Sequence, residues 1–231
     1  MRSRHRVPPP GQGPWPVADG HGHGRTREAF LAGVLVGLAA LCWHGHLTAL
    51  ERDLTAAIVQ PPGSIGFSIG RALSFLGYGP VVGGFATCLA FAMWRRTHDI
   101  AVALVAPFAA ALGGVAQLAG KHLVGRVRPL TAVLAGESGL GFPSGHTTAV
   151  TAVTVTAATF IALRSGKRRT TLATTVAWSL SFAVAVGRVL VGAHYLFDVL
   201  GGLVLGALCA RLAIHVMLVL GHRTGSARRR A

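Results

Sequence analysis

Six long apolar runs constrain the fold of this chain more than any other feature of its sequence. Each run approaches the roughly 20 residues that a helix needs to cross the hydrocarbon core of a bilayer. Only 13% of the residues are charged and 52% are hydrophobic, which leaves too few charges for an ordinary water-soluble surface. We therefore predict an all-α bundle of six transmembrane helices. The predicted spans are 29–49, 76–94, 100–119, 147–164, 172–191 and 198–220.

Basic tails flank this membrane domain, which covers residues 29–220. Residues 1–28 are rich in Pro, Gly, His and Arg and lack apolar periodicity, which predicts a disordered tail. Residues 221–231 form a second basic tail. The net charge of +15 would suit a nucleic-acid partner, but most arginines lie in short clusters between apolar runs, as is typical of membrane proteins. We expect membrane lipids, and no nucleic acid, as partners.

The distribution of Lys and Arg predicts the orientation of the bundle. With the N-terminus inside, fifteen of the 22 basic residues fall in inside segments and six in outside segments. Cytoplasmic segments of membrane proteins carry the excess of positive charge. We therefore predict a multi-pass protein of the plasma membrane with both termini in the cytoplasm.

Basic residues at the outer ends of the predicted spans need a different explanation, because charges near the bilayer are costly without partners. These residues are Lys121, Arg126, Arg128 and Arg188. The only acids in the same stretches are Glu137 and Asp198, so we expect the partner of the cluster to be an external anion. The planar fork of Arg fits phosphate oxygens, and several such groups suit a phosphoryl group.

Two histidines lie on the same predicted outer side. His146 follows Pro-Ser-Gly at the start of the fourth span, and His194 precedes Asp198 by four residues. If that stretch is helical, His194 and Asp198 share a face, and the carboxylate leaves one ring nitrogen free as nucleophile or base. Asp198 raises the proton affinity of His194, and the arginines oppose it. The backbone N–H groups of Ser144 and Gly145 stand at a helix start, where they can bind an anion.

Three sequence blocks occur in a characteristic order and spacing: "KHLVGRVRP" from Lys121, "PSGH" at 143–146 and "GRVLVGAHYLFD" at 187–198. Together they resemble the type 2 phosphatidic acid phosphatase (PAP2) family of integral membrane phosphatases. The resemblance implies the six-helix fold of the PAP2 and vanadate haloperoxidase-like superfamily. It covers roughly residues 29–220.

The resemblance also implies a division of labour. His194 would attack phosphorus and form a phosphohistidine, Asp198 would orient it, and His146 would protonate the leaving group. The residues that would hold the phosphoryl oxygens are Lys121, Arg128, Ser144, Gly145 and Arg188. No cofactor is implied, and the sequence shows no acidic cluster or ligand spacing for a metal. The substrate class is a lipid phosphate, such as a polyprenyl pyrophosphate, phosphatidic acid or phosphatidylglycerol phosphate.

One position departs from the family pattern. The third block usually begins Ser-Arg, whereas this chain has Gly187 before Arg188. The family serine donates a hydrogen bond to phosphate, and the backbone N–H of Gly187 is the remaining donor at that position.

Upstream, "GFSIGRALSFLG" at 66–77 is expected to form either a short helix on the membrane surface or a packed loop.

Two alternatives to a phosphatase follow from the same residues. A lipid phosphotransferase would pass the phosphoryl group from the same intermediate to an alcohol instead of water. An anion or lipid transporter would place charges at the midplane of the bilayer. Arg211 is the only charge deep in a predicted span, and we place it and His215 near the inner end of the last helix.

Overall fold

The computed structural model describes residues 21–43 and 48–228, with side chains described over 26–43 and 49–217. These residues are almost entirely helical, as predicted, and the described part of the chain contains no β-strand beyond one isolated bridge. One 3₁₀ helix spans Leu130–Ala135. The α-helices are α1 (His21–Trp43), α2 (Thr48–Ile58), α3 (Ile65–Phe75), α4 (Gly79–Thr97), α5 (Ile100–Val124), α6 (Gly145–Ala162), α7 (Lys167–Leu190) and α8 (Leu196–Arg228).

Both terminal helices extend beyond the predicted membrane domain. Helix α1 begins at His21, inside the tail predicted as disordered over 1–28, and α8 continues to Arg228, inside the predicted tail 221–231. Residues 1–20 and 229–231 lie outside the described part of the chain. The hydrophobic runs do not mark the helix ends because backbone hydrogen bonding continues into flanking polar residues.

Four of these helices are long and apolar enough to cross a membrane. They are α1, α5, α7 and α8, and a fifth span results if α3 and α4, which meet at a bend of 43°, are counted as one. Helix α6, the predicted fourth span, is not among them. The structure therefore supports a multi-pass membrane protein, while the count of six spans stays a prediction.

Helix α6 lies at the centre of the bundle, packed against α5, α7 and α8. It is rich in threonine, which makes up six of its 18 residues. The hydroxyls of Thr148, Thr154 and Thr156 donate to the carbonyl four residues earlier, each at 2.8 Å. These bonds satisfy three of the buried hydroxyls inside the helix itself. A helix surrounded by protein therefore does not need the hydropathy of one that faces lipid.

Two glycines of α8 allow close contact with α6. A Cβ at Gly202 would lie 2.8 Å from the carbonyl oxygen of Ser144, and one at Gly206 would lie 2.5 Å from that of Thr148. Such distances exclude any side chain unless a helix backbone shifts. The four-residue glycine spacing thus serves packing within the monomer, as small residues do in membrane helix pairs.

Gly206→Ala is therefore expected to lower the free energy of unfolding by about 1–3 kcal/mol, the usual cost of overpacking a tight interface. The matched control is Gly84→Ala on α4, where a Cβ meets nothing within 4 Å. The control should lose no stability because alanine favours helix over glycine. Thermal unfolding in detergent measures both variants. Equal stability of the two would contradict this packing.

Candidate active site

The predicted site residues meet at one end of the bundle, where four helix termini converge. Lys121 and Arg188 lie in the last turns of α5 and α7. His146 and Asp198 lie in the first turns of α6 and α8. Because neighbouring helices run in opposite directions, two C-terminal ends and two N-terminal ends share this face.

The loop after α5 carries two further arginines to the same end. Helix α5 stops at Gly125, whose φ of 65° suits glycine and turns the chain out of the helix. The Gly141 N–H donates to the Arg126 carbonyl at 2.7 Å, and Val127 forms an isolated antiparallel bridge with Leu140. The base of the 126–141 loop is thereby closed, which holds its arginines beside the helix ends.

His194 and Asp198 form a buried pair. His194 Nδ1 lies 3.3 Å from Asp198 Oδ2, and the Tyr195 N–H donates to the same oxygen at 3.1 Å. The contact expected from the sequence is present, although His194 precedes α8 rather than lying on it. Both side chains are fully buried, and His194 Nε2 has no hydrogen-bond partner among the described residues. With the proton on Nδ1, Nε2 carries a free lone pair.

Burial keeps His194 neutral. Loss of hydration lowers the pKa of His194 to about 4, against the hydrogen bond and charge of Asp198, which raise it. Arg128 and Arg188 lower it further. The sequence left the balance between Asp198 and the arginines open, and burial decides it. A neutral imidazole is the form that can act as a nucleophile.

Two of the arginines predicted to bind phosphate share an internal carboxylate, which corrects the expectation that their partner is an external anion. Glu137 contacts Arg128 Nη1 at 3.1 Å and Arg188 Nη2 at 2.5 Å. Burial raises the pKa of Glu137, but the two guanidinium groups outweigh burial and hold that pKa below its ordinary value. Arg128 also donates to the Leu140 and Ala193 carbonyls. An ionised carboxylate thus bridges two residues predicted to hold phosphate.

Arg126 also has internal partners and is not free to bind an external anion. Its guanidinium pairs with Glu51 and, at 3.1 Å, with Asp198 Oδ1, and it lies 4.6 Å from the centre of the Tyr195 ring. Glu51 in turn accepts a hydrogen bond from the Phe197 N–H at 2.7 Å. All three charged groups are at least nine-tenths buried. This network supports the Asp198 carboxylate on the side away from His194.

Only part of the predicted backbone cradle at the start of α6 is available. The Ser144 N–H donates to the Asp198 carbonyl at 2.9 Å, so it cannot point at an anion as expected. Ser144 is fully buried, and its hydroxyl accepts from Thr147 Oγ1 at 3.2 Å. The Gly145 N–H begins the helix and has no intrahelical acceptor. A Cβ at Gly145 would lie 3.0 Å from Gln117 Oε1, at the end of a flexible side chain.

His146 lines a cavity of about 150 Å³ that opens between α3, α6 and α7. Arg188 and Ser74 share its wall, and Arg71 lies at the same cavity. Lys121 is half-buried and makes no ion pair with any described residue. The structure thus brings all eight predicted residues to one end of the bundle, but only two of them line this cavity.

Sequence reasoning missed Glu51 and the role of Glu137. A compositional signal was present, because the chain contains only seven acids. Three of them, Glu51, Glu137 and Asp198, converge on the arginines of this site. In so basic a membrane protein, an acid outside the tails is a strong candidate for a buried ion pair.

The fold agrees with comparisons to known proteins. The model of the PAP2 superfamily matches residues 102–221, more than half of the chain. The chain therefore belongs to the PAP2 superfamily, as the sequence blocks indicated. No curated protein matches it.

Two solved structures share the fold. One is a transmembrane PAP2-type phosphatidylglycerolphosphate phosphatase from Bacillus subtilis, with a TM-score of 0.74 and 23% identity over 82% of this chain and 94% of that one. The other is LpxE from Aquifex aeolicus, with a TM-score of 0.53 and 20% identity over 72% of this chain and 95% of that one. At these identities the likeness establishes the fold.

Glu51→Gln is expected to lower the free energy of unfolding by about 3–5 kcal/mol, because it weakens the compensation of the buried Arg126. Glu28→Gln is the matched control, since Glu28 pairs with Arg211 at an exposed position and such pairs contribute about 1 kcal/mol or less. Chemical denaturation in detergent measures the difference. Equal losses in the two variants would show that the buried Glu51–Arg126 pair contributes no more to the free energy of unfolding than the exposed pair does.

Proposed function

We propose that this protein is a metal-independent integral membrane phosphatase that removes phosphate from a lipid phosphomonoester or pyrophosphate. The observation that carries the proposal is the buried His194–Asp198 pair with its unpartnered Nε2, beside Arg128 and Arg188. A neutral imidazole held by a carboxylate is a nucleophile, and arginines stabilise the charge of a transferring phosphoryl group. Membership of the PAP2 superfamily supports the same reaction.

The reaction then proceeds in two displacements. Burial and the charge of Arg188 lower the pKa of His146 to about 4 in the free protein, so His146 takes up its proton when the negatively charged phosphoryl group binds. His194 Nε2 attacks phosphorus, a P–N bond forms, and the P–O bond to the lipid breaks while His146 gives that proton to the leaving oxygen. Water next attacks phosphorus and breaks the P–N bond, and His146 takes up the proton of that water. Arg128 and Arg188, with Lys121, hold the phosphoryl oxygens throughout. Ser144 and Gly145 complete the binding set, through the hydroxyl and the free N–H respectively.

The location of the site suits a substrate anchored in the membrane. The site lies at one end of the helices, where a lipid headgroup reaches protein while the tails stay in the bilayer. The excess of basic residues at the opposite end supports an extracytoplasmic site in the plasma membrane. Arg211 pairs with Glu28 of α1, so the charge that a transporter would need at mid-helix has a structural partner.

His194→Ala is expected to abolish phosphate release from lipid phosphates, since it removes the nucleophile while leaving the bundle intact. The matched control is His122→Ala, which replaces an exposed histidine in the last turn of α5. Phosphate release in detergent micelles is measured with EDTA present. The described residues contain no group of three potential metal ligands, so we expect wild-type activity to survive chelation.

Two outcomes would contradict this proposal. Wild-type rates in the His194→Ala variant would exclude the phosphohistidine. Loss of all wild-type activity in EDTA would exclude a metal-independent reaction. An added alcohol that receives the phosphoryl group in place of water would identify a phosphotransferase.

Glu137→Gln is expected to strengthen inhibition by inorganic phosphate about tenfold, because the carboxylate competes with phosphate for two arginines. Asp53→Asn is the matched control, since Asp53 is exposed and makes no ion pair among the described residues. The inhibition constant of phosphate measures the effect. Weaker inhibition in Glu137→Gln would show instead that Glu137 holds the arginines in their binding geometry.

A further inference from the structure

Because glycine stands in place of the family serine, position 187 has no hydroxyl. The backbone N–H of Gly187 does not replace that hydroxyl as a donor to phosphate. Gly187 lies inside α7, where its N–H belongs to the hydrogen-bond ladder of the helix. A Cβ at this position would lie 2.8 Å from the Gly70 carbonyl oxygen and 2.9 Å from the Ser74 nitrogen, both on α3. Helix α3 therefore occupies the space that a serine at 187 would need.

Close approach of α3 brings another hydroxyl to the same place. Ser74 is only 7% exposed, and its Oγ has no hydrogen-bond partner in the part of the chain that the structure describes. A buried helical serine normally donates to the carbonyl four residues earlier, as Ser181 does to Ala177 on α7. A buried hydroxyl without a partner costs free energy, so its retention needs a reason.

The surroundings of Ser74 supply that reason. Ser74 lines the cavity of about 150 Å³ that also contacts His146 and Arg188. Arg188 Nε, like Ser74 Oγ, is a buried donor without a partner. Two unpartnered donors therefore belong to residues in the wall of one cavity, next to the predicted proton donor. A phosphoryl oxygen is an acceptor that matches both.

We propose that Ser74 on α3 binds the phosphoryl group in place of the serine that the family carries at position 187. The hydroxyl of Ser74 donates to a phosphoryl oxygen that Arg188 also holds. Glycine at 187 is then a requirement of this arrangement, because it lets α3 approach closely enough. The assignment rests on the proposed phosphatase function and adds one residue to its phosphate site.

Ser74→Ala is expected to weaken inhibition by inorganic phosphate about tenfold, since one hydrogen bond to a charged group is lost. The free energy of unfolding should stay unchanged or rise, because the variant removes a buried hydroxyl that lacks a partner. Ser68→Ala is the matched control, the same change on an exposed face of α3. It should leave phosphate inhibition unchanged. Unchanged inhibition in Ser74→Ala would overturn the assignment.

Ser74→Cys separates hydrogen bonding from packing. Cysteine keeps the shape of the side chain but is a weak donor, so phosphate inhibition should again weaken. Wild-type inhibition in Ser74→Cys would show that Ser74 only fills space.

Direct titration of inorganic phosphate distinguishes failure of this assignment from failure of the proposed function. A wild-type protein that binds phosphate without releasing it from lipids would refute the phosphatase, and weaker binding in Ser74→Ala would still support the assignment. A wild-type protein that binds no phosphate would overturn both.

Discussion

The structure depends on the burial of one carboxylate, that of Asp198, where four helix ends meet. A buried carboxylate is tolerated only when its oxygens are paired. One oxygen of Asp198 contacts His194 and the Tyr195 N–H, and the other contacts Arg126. The Asp198 carbonyl also accepts the Ser144 N–H, which ties the start of α8 to the start of α6. The same residue therefore orients the proposed nucleophile and joins two of the central helices.

Small residues set the distances at which this network forms. Gly202 and Gly206 let α8 approach the α6 backbone, and Gly187 lets α7 approach α3. Apolar attraction between helices is weak in a bilayer, so close packing and polar contacts carry much of their association. The glycines and the buried ion pairs therefore act together, since the short helix separations bring the charged groups into contact range.

The sequence predicted the parts of this site that depend on spacing along the chain, but not those that depend on contacts between distant segments. The three blocks placed His146, His194 and Asp198 at one end, and the spacing of Gly202 and Gly206 indicated close packing. Glu51 reaches Arg126 across 75 residues, and Glu137 reaches Arg188 across 51, so no local pattern reveals either pair. The length of α6 made it resemble the other predicted spans in the sequence. The structure shows instead a threonine-rich helix that is packed against α5, α7 and α8.

The proposed replacement of a serine at position 187 by Ser74 changes how the phosphate site is built. A serine on α7 would be carried by the same helix as Arg188, and its position would depend on that helix alone. A serine on α3 makes the site depend on how α3 packs against α7. Helix α3 is short, meets α4 at a bend of 43°, and has exposed apolar side chains at Ile65, Ile69 and Phe75. A change in how α3 packs against α7 would therefore alter both the cavity and the number of donors in the proposed phosphate site.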